Sequence, residues 1–233
     1  MIEVRKSNER GHADHGWLNS YHTFSFASYY DPKHMGFRSL RVINEDRVAP
    51  GKGFGSHGHR DMEILSYVLE GSLAHRDNMG HEEVLGPNEI QRMSAGTGVI
   101  HSEFNASKTE PVHFMQIWIE PATEGAPASY EQIGFAPAEK RGKLKLLASP
   151  QGGGGVARIN QDARVFVAEL SDGQAVDYRL GSGRYAWLHV IRGAVMVNGK
   201  ALEAGDAAAL SKEDAVTAVG KAASSEIMLF DLA

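Results

Sequence analysis

Val68-Leu69-Glu70-Gly71 finds an echo in Val190-Ile191-Arg192-Gly193. Downstream, Leu85-Gly86-Pro87-Asn88 finds one in Ala204-Gly205-Asp206. Each half reads strand, glycine turn, strand, Gly-Pro or Gly-Asp turn, strand, and a repeat of this kind means a duplicated architecture. Working outward, short β-like runs dominate: Thr23–Ala27, Ser39–Ile43, Met62–Leu69, Glu82–Leu85, Val112–Ile119, Lys143–Leu147, Arg164–Leu170, Tyr185–Ile191, Ala194–Val197 and Ile227–Leu232. They are rich in Val, Ile, Tyr and Phe or alternate apolar with polar, and most are bounded by Gly, Pro, Asn or Asp. Asn198-Gly199 is a two-residue hairpin signal. Helical periodicity is scarce, with one short turn expected at Ser129–Ile133. An all-β pair of barrels or sandwiches follows. The break is expected at Pro121–Pro137, giving domains 1–125 and 126–233. Gly152–Gly155 reads as a loop inside the second domain, and no Lys-Ser/Thr follows it to make a phosphate cradle.

The chain has 233 residues, 24 Lys+Arg against 29 Asp+Glu, and a net charge of −5. A mildly acidic, mixed surface carries no electrostatic footprint for nucleic acid. The absence of cysteine excludes disulfides, thiolate metal sites, iron–sulfur clusters and a thiol nucleophile. Met1-Ile2-Glu3-Val4-Arg5 does not open a signal peptide, and no apolar run is long enough to span a bilayer. A cytoplasmic protein, with a monomer allowed by two barrels in one chain, is the expectation.

Ten of the eleven histidines lie between His12 and His113. Two segments concentrate the chemistry. In Gly51-Lys52-Gly53-Phe54-Gly55-Ser56-His57-Gly58-His59, the two histidines stand two apart, on one face of a strand. In Gly96-Thr97-Gly98-Val99-Ile100-His101-Ser102-Glu103-Phe104-Asn105, His101 and Glu103 do the same. Two such strands facing each other bring three imidazoles and one carboxylate to one point, a set suited to a divalent first-row metal with open positions. A lone His-x-His pair is more often packing or surface, and it is the second pair that makes the metal reading. No Gly-x-Ser-x-Gly elbow is present, and Ser102 should face away from the ligand side.

These residues carry a resemblance. Gly-x5-His-x-His followed by Gly-x-Gly-x2-His-x3-Asn resembles the two cupin motifs, with Gly96 where the common pattern has Pro. His57-Gly58-His59-Arg60-Asp61-Met62-Glu63, Leu69-Glu70-Gly71 and Ser94–Glu103 resemble the pirin family specifically. So do Gly16-Trp17-Leu18, His22-Thr23-Phe24-Ser25-Phe26 and Tyr29-Tyr30-Asp31-Pro32. The resemblance implies a bicupin of two jelly-roll barrels with one metal in the N-terminal barrel, on His57, His59, His101 and Glu103. For bacterial members it implies quercetin 2,3-dioxygenase activity. The alternative it carries is a metal-binding regulatory or sensor protein acting through protein partners, and a third is a different cupin enzyme.

In many cupins a carboxylate ligand lies between His-x-His and the turn glycine. Counting back from Gly71 puts that position at Ile64, and alternation sends Glu63 to the opposite face. Glu63 is therefore read as an outer-face or capping carboxylate, the alternative being a partner of a ligand histidine, and Glu103 takes its place. Superposing the repeat sets Arg179, Gly181, Gly220 and Ala222 on the four ligand positions, so the C-terminal barrel is expected to hold no metal; His189 falls on the other face. His75, His81 and His113 are read as non-ligands. His12, His15, His22 and His34 sit in the entry region and are assigned surface or hydrogen-bonding roles, the alternative being to line a pocket mouth. Phe54, Ile64, Met93, Phe114 and Trp118 are candidates for an apolar pocket wall.

The chemistry expected of such a site starts with a flavonol hydroxyl acidified by the metal. Glu103, the one acidic ligand, can accept its proton. The electron-rich flavonolate then reacts with O2, opening the ring and losing carbon monoxide. Iron(II) is the metal the resemblance favours, with Cu, Ni, Co, Mn and Zn compatible with the donor set.

Overall fold

The computed structural model describes residues 1–233. The strands are β1 (Ile2–Arg5), β2 (Gly11–Asp14), β3 (Leu18–His22), β4 (Leu40–Val48), β5 (Gly53–Glu70), β6 (Leu73–Asp77), β7 (Glu82–Leu85), β8 (Glu89–Asn105), β9 (Val112–Ile119), β10 (Ser129–Gly134), β11 (Lys145–Ser149), β12 (Ala157–Arg158), β13 (Ala163–Leu170), β14 (Ala175–Arg179), β15 (Tyr185–Arg192), β16 (Ala194–Val197), β17 (Lys200–Glu203), β18 (Ala207–Leu210), β19 (Ala215–Gly220) and β20 (Ser225–Leu232). Apart from two three-residue 3-10 turns the chain contains no helix. No helix is long and apolar enough to cross a membrane.

Two compact units form. The first comprises Gly11–Phe135 with Gln151–Gln161, the second Met1–Arg10, Ala136–Pro150 and Asp162–Ala233. In the first, the strands lie in the order β2-β3-β4-β9-β5-β8-β6-β7, with β10 also on β8. β5 is the central element. Its second half, Ile64-Leu65-Ser66-Tyr67-Val68-Leu69, is buried throughout, with β8 and β9 paired along its two edges and Ile64 and Val68 packed into separate apolar clusters. Its first half alternates in exposure and holds the His-x-His pair. The second unit contains a sheet with β1, β18, β15, β20, β13 and β11 as successive neighbours, and a smaller one in the order β14-β19-β16-β17. Leu188, Val190, Leu229, Val195 and Val216, contributed by both sheets, form its core.

The glycine repeat has a steric cause. Gly71 and Gly193 both take a left-handed φ, +76° and +72°. A Cβ on Gly71 would come 2.6 Å from the carbonyl oxygen of Pro111, and one on Gly193 would come 2.4 Å from that of Ser224. Only glycine suits either turn. The Asn198-Gly199 turn closes β16 on β17 as expected, both residues at positive φ.

Four local expectations are corrected. Ser129–Ile133 is not a helical turn but strand β10, in register with β8 from Ser129↔Ser94 to Gly134↔Glu89. Pairing with a long neighbour overrides weak local preference there, so the segment read as a break supplies a strand to the first unit. Gly152–Gly155 falls in the stretch that belongs to the first unit rather than the second. Met1–Arg10, which a division at 125/126 assigns to the first unit, belongs to the second, where β1 pairs with β18 from Ile2↔Leu210 to Arg5↔Ala207. Finally, the entry strand is Leu18–His22, and Thr23–Ala27 is irregular.

Candidate metal centre

β5 and β8 run antiparallel with His57 opposite His101, Gly58 opposite Ile100 and His59 opposite Val99. The register shifts between Phe54 and His57, and Phe54 stands opposite Glu103. A Cβ on Gly53 would sit 2.2 Å from the Glu103 carbonyl oxygen. Glycine at this position therefore lets the two backbones approach where the candidate ligands meet. The ring centroids lie 4.7 Å apart for His57 and His59, 4.4 Å for His57 and His101, and 4.9 Å for His59 and His101. Ligand atoms from the three histidines lie within 4.8 Å of one another. Glu103 lines the same cavity as His57 and His59.

Each group is oriented. His57 Nδ1 donates to the Gly55 carbonyl at 2.8 Å, leaving its Nε2 as the free nitrogen. His101 is buried at 2 % exposure, and its Nε2 has no hydrogen-bond partner. A buried imidazole nitrogen left unpaired is costly, and coordination to a cation satisfies it. Glu103 accepts from Gln116 Nε2 at 2.8 Å and from the Ser66 hydroxyl at 3.3 Å. Burial, then the neighbouring His57, pushes the His59 imidazole down to about 4. Burial, then His57, His59 and His75, pushes His101 down to about 3. Both rings are thus neutral near pH 7, the state a metal ligand needs. Three imidazole nitrogens and a fixed carboxylate form a donor set that fits a divalent metal.

A cavity of about 560 Å³ opens onto His57, His59 and Glu103. Trp17, Phe26, Phe54 and Trp118 supply aromatic walls. Trp118 packs edge-on against His59 at 4.9 Å and against Phe26 at 5.4 Å. One wall is polar, with Ser20 donating to buried Asp46 and His22 Nδ1 bonded to Asn44 at 2.9 Å.

Of the five apolar candidates for the wall, Phe54 and Trp118 line this cavity. Ile64, Met93 and Phe114 pack in apolar clusters instead. Ser102 does not line the cavity of the histidines. Glu63 is not an outer-face carboxylate. It is buried, accepts from the Ser94 hydroxyl at 2.7 Å, and is pushed up by burial against that hydrogen bond. Among the entry histidines, His15 and His22 line the cavity, while His34 pairs with Asp31 and His12 stacks on Tyr21. His113 pairs with Glu45. His75, read as a non-ligand, has a ring nitrogen within 4.8 Å of ligand atoms of His101 and Glu103. Both groups of three potential ligands lie in the first unit.

The family model for Pirin matches residues 3–119, and that for the quercetinase C-terminal cupin domain matches residues 146–232. The chain belongs to the pirin family. A protein of Escherichia coli K12 named quercetin 2,3-dioxygenase is 48 % identical over 233 residues, covering 100 % of this chain and 99 % of its own. A pirin-like protein of Caulobacter vibrioides is 41 % identical, with 100 % of each covered. The crystal structure of the bacterial pirin YhhW from E. coli in complex with nickel(II) superposes with a TM-score of 0.94 at 46 % identity, covering 100 % of this chain and 99 % of that one. The all-β bicupin architecture expected of a pirin is the one observed.

Proposed function

We propose that this pirin-family protein is a metal-dependent dioxygenase that opens the heterocyclic ring of a flavonol such as quercetin with O2, releasing carbon monoxide. His57, His59, His101 and Glu103 hold one divalent ion, iron(II) in the cell, and Glu103 also acts as the base. The observation that carries this reading is that one cavity is lined by His57, His59 and Glu103 together with aromatic walls, while His101 groups with His57 and His59 on one side and with Glu103 on the other. Its size falls in the range of small-molecule sites. The relatives named quercetin 2,3-dioxygenase and the nickel-bound neighbour support it.

A first-row metal in this position supplies Lewis acidity and one-electron access to dioxygen. The chain does the rest. Trp17, Phe26, Phe54 and Trp118 enclose a planar aromatic ligand and exclude water. Ser20–Asp46 and His22–Asn44 offer hydrogen bonds to phenolic hydroxyls. Gln116 and Ser66 aim the Glu103 carboxylate, which accepts the proton of the flavonol 3-hydroxyl. In the second unit, Arg179 and Gly181 lie in exposed positions and Gly220 and Ala222 have no donor side chain, consistent with a single ion per chain.

The test is oxygen uptake by purified, metal-loaded protein across a panel of flavonols and flavones. Uptake with 3-hydroxyflavones and none with the 3-deoxy analogues is expected. No uptake under any of the six metals would move the assignment to a metal-binding regulatory protein.

A further inference from the structure

His75 on β6 stands opposite Glu103 on β8, and Asp77 stands opposite His101. These residues form a directional chain behind the candidate metal centre. Asp77 has a fully buried carboxylate. It accepts the backbone N–H groups of Met79 at 2.9 Å and His81 at 3.1 Å, and His81 Nδ1 at 2.9 Å. Two backbone N–H groups and a ring N–H converging on one carboxylate are the donor set of an ionised acid. An ionised carboxylate can only accept. His75 Nε2, 3.1 Å from it, must therefore be an N–H. In the neutral ring this leaves His75 Nδ1 as a lone pair. That nitrogen faces His101 Nδ1 at 3.5 Å, so His101 carries its proton on Nδ1. Its buried, unpartnered Nε2 is then a bare lone pair. Tyr130 stacks on His75 at 4.8 Å and on His81 at 4.6 Å, fixing the ring planes through which the chain runs.

We infer that Asp77 and His75 are positioning residues that set the tautomer of His101 and so hold its Nε2 ready for a metal. The inference rests on the reading of His101 as a ligand, and it deepens that reading by adding residues that touch neither metal nor substrate. Partners behind a metal-bound histidine typically change metal affinity 10–100-fold when removed.

The experiment is long-range 1H–15N correlation on metal-free, histidine-labelled protein, followed by nickel(II) competition against a chromophoric chelator. His101 is expected as the Nδ1–H tautomer and His75 as Nε2–H. In Asp77→Asn the amide donates to His75, the chain reverses, and nickel(II) affinity falls about 10–100-fold. His75→Gln can accept from His101 and donate to Asp77, so it keeps the direction and should retain affinity within a few-fold. His75→Leu should not. Should Asp77→Asn fail to fold, the Gln and Leu variants decide the matter at matched melting temperature. An Nε2–H tautomer at His101 in the wild type, or equal affinity in the Gln and Leu variants, overturns the inference. His101→Ala separates the two readings. If it keeps nickel(II), the ligand assignment is wrong; if it loses nickel(II) while His75→Leu does not, only the positioning chain is wrong.

Discussion

Replacing Asp46 by asparagine should alter how the first unit responds to pH. Asp46 is 3 % exposed, takes a hydrogen bond from Ser20, and lines the cavity that also contains Glu103. Burial is the main cause lifting its carboxyl from 3.8 to about 7, with the charges of Glu103 and Glu45 adding and the Ser20 bond opposing. Between about pH 4 and pH 7 the folded protein therefore keeps a proton that the unfolded chain has released. Stability falls as pH rises through this window and levels off above it. At about 1.4 kcal/mol per pH unit, the displacement corresponds to about 4 kcal/mol. An asparagine side chain keeps the shape and binds no proton, so the variant lacks this fall. Its stability relative to wild type should improve by about 4 kcal/mol from pH 4 to pH 8, whatever constant offset the substitution adds. Urea unfolding of the metal-free protein measures it. A Trp187→Phe background leaves Trp17 and Trp118, both in the first unit, as reporters. Parallel stability curves for the wild type and the Asp46→Asn variant would refute the reasoning, because the carboxyl would then be ionised in both states across the window.

Further outcomes follow from the same structure. Glu103→Gln keeps the shape but removes the charge and most of the basicity. Excess ion should restore metal occupancy while turnover stays about 10²–10⁴-fold low, as for loss of a general base, and wild-type oxygen uptake at matched occupancy would show that Glu103 is not the base. Elemental analysis should give close to one metal equivalent per chain, with most of it lost in His57→Ala; a value near two would place an ion in the second unit. In that unit, buried Asp231 is held by the Tyr178 hydroxyl at 2.6 Å and by Arg164 and Arg184. Tyr178→Phe should cost about 2 kcal/mol of its stability, the typical worth of a bond to a charged group, read by Trp187 fluorescence without change in metal content.

The candidate ligands were legible because strand alternation is strict. His57 and His59, or His101 and Glu103, fall two apart and must share a face. Tertiary pairing then decides what alternation leaves open, namely that His57 meets His101 across β5 and β8. The polar cavity wall obeys the same period, Ser20 with His22 on β3 and Asn44 with Asp46 on β4, and could have been found from it. His75 and Asp77 have this spacing too, but nothing local says that β6 will lie beside the ligand strand. Alternation separates Glu63 from Ile64 but does not say that Glu63 is buried. Its burial comes from long-range neighbours such as Ser94, which no local pattern reveals. β10 is illegible for the same reason, since Ser129-Tyr130-Glu131-Gln132-Ile133 has no strong preference until β8 offers it a ladder. The glycine turns were readable because their constraint is local, a left-handed φ against a close backbone.

The most direct test of the central claim is the ratio of carbon monoxide released to O2 consumed when fully iron(II)-loaded protein turns over quercetin. Ring opening by dioxygenation predicts one carbon monoxide for each O2, with both quantities falling together in His101→Ala. Oxygen uptake without carbon monoxide, or rates of both that removal of His101 leaves unchanged, would contradict the account.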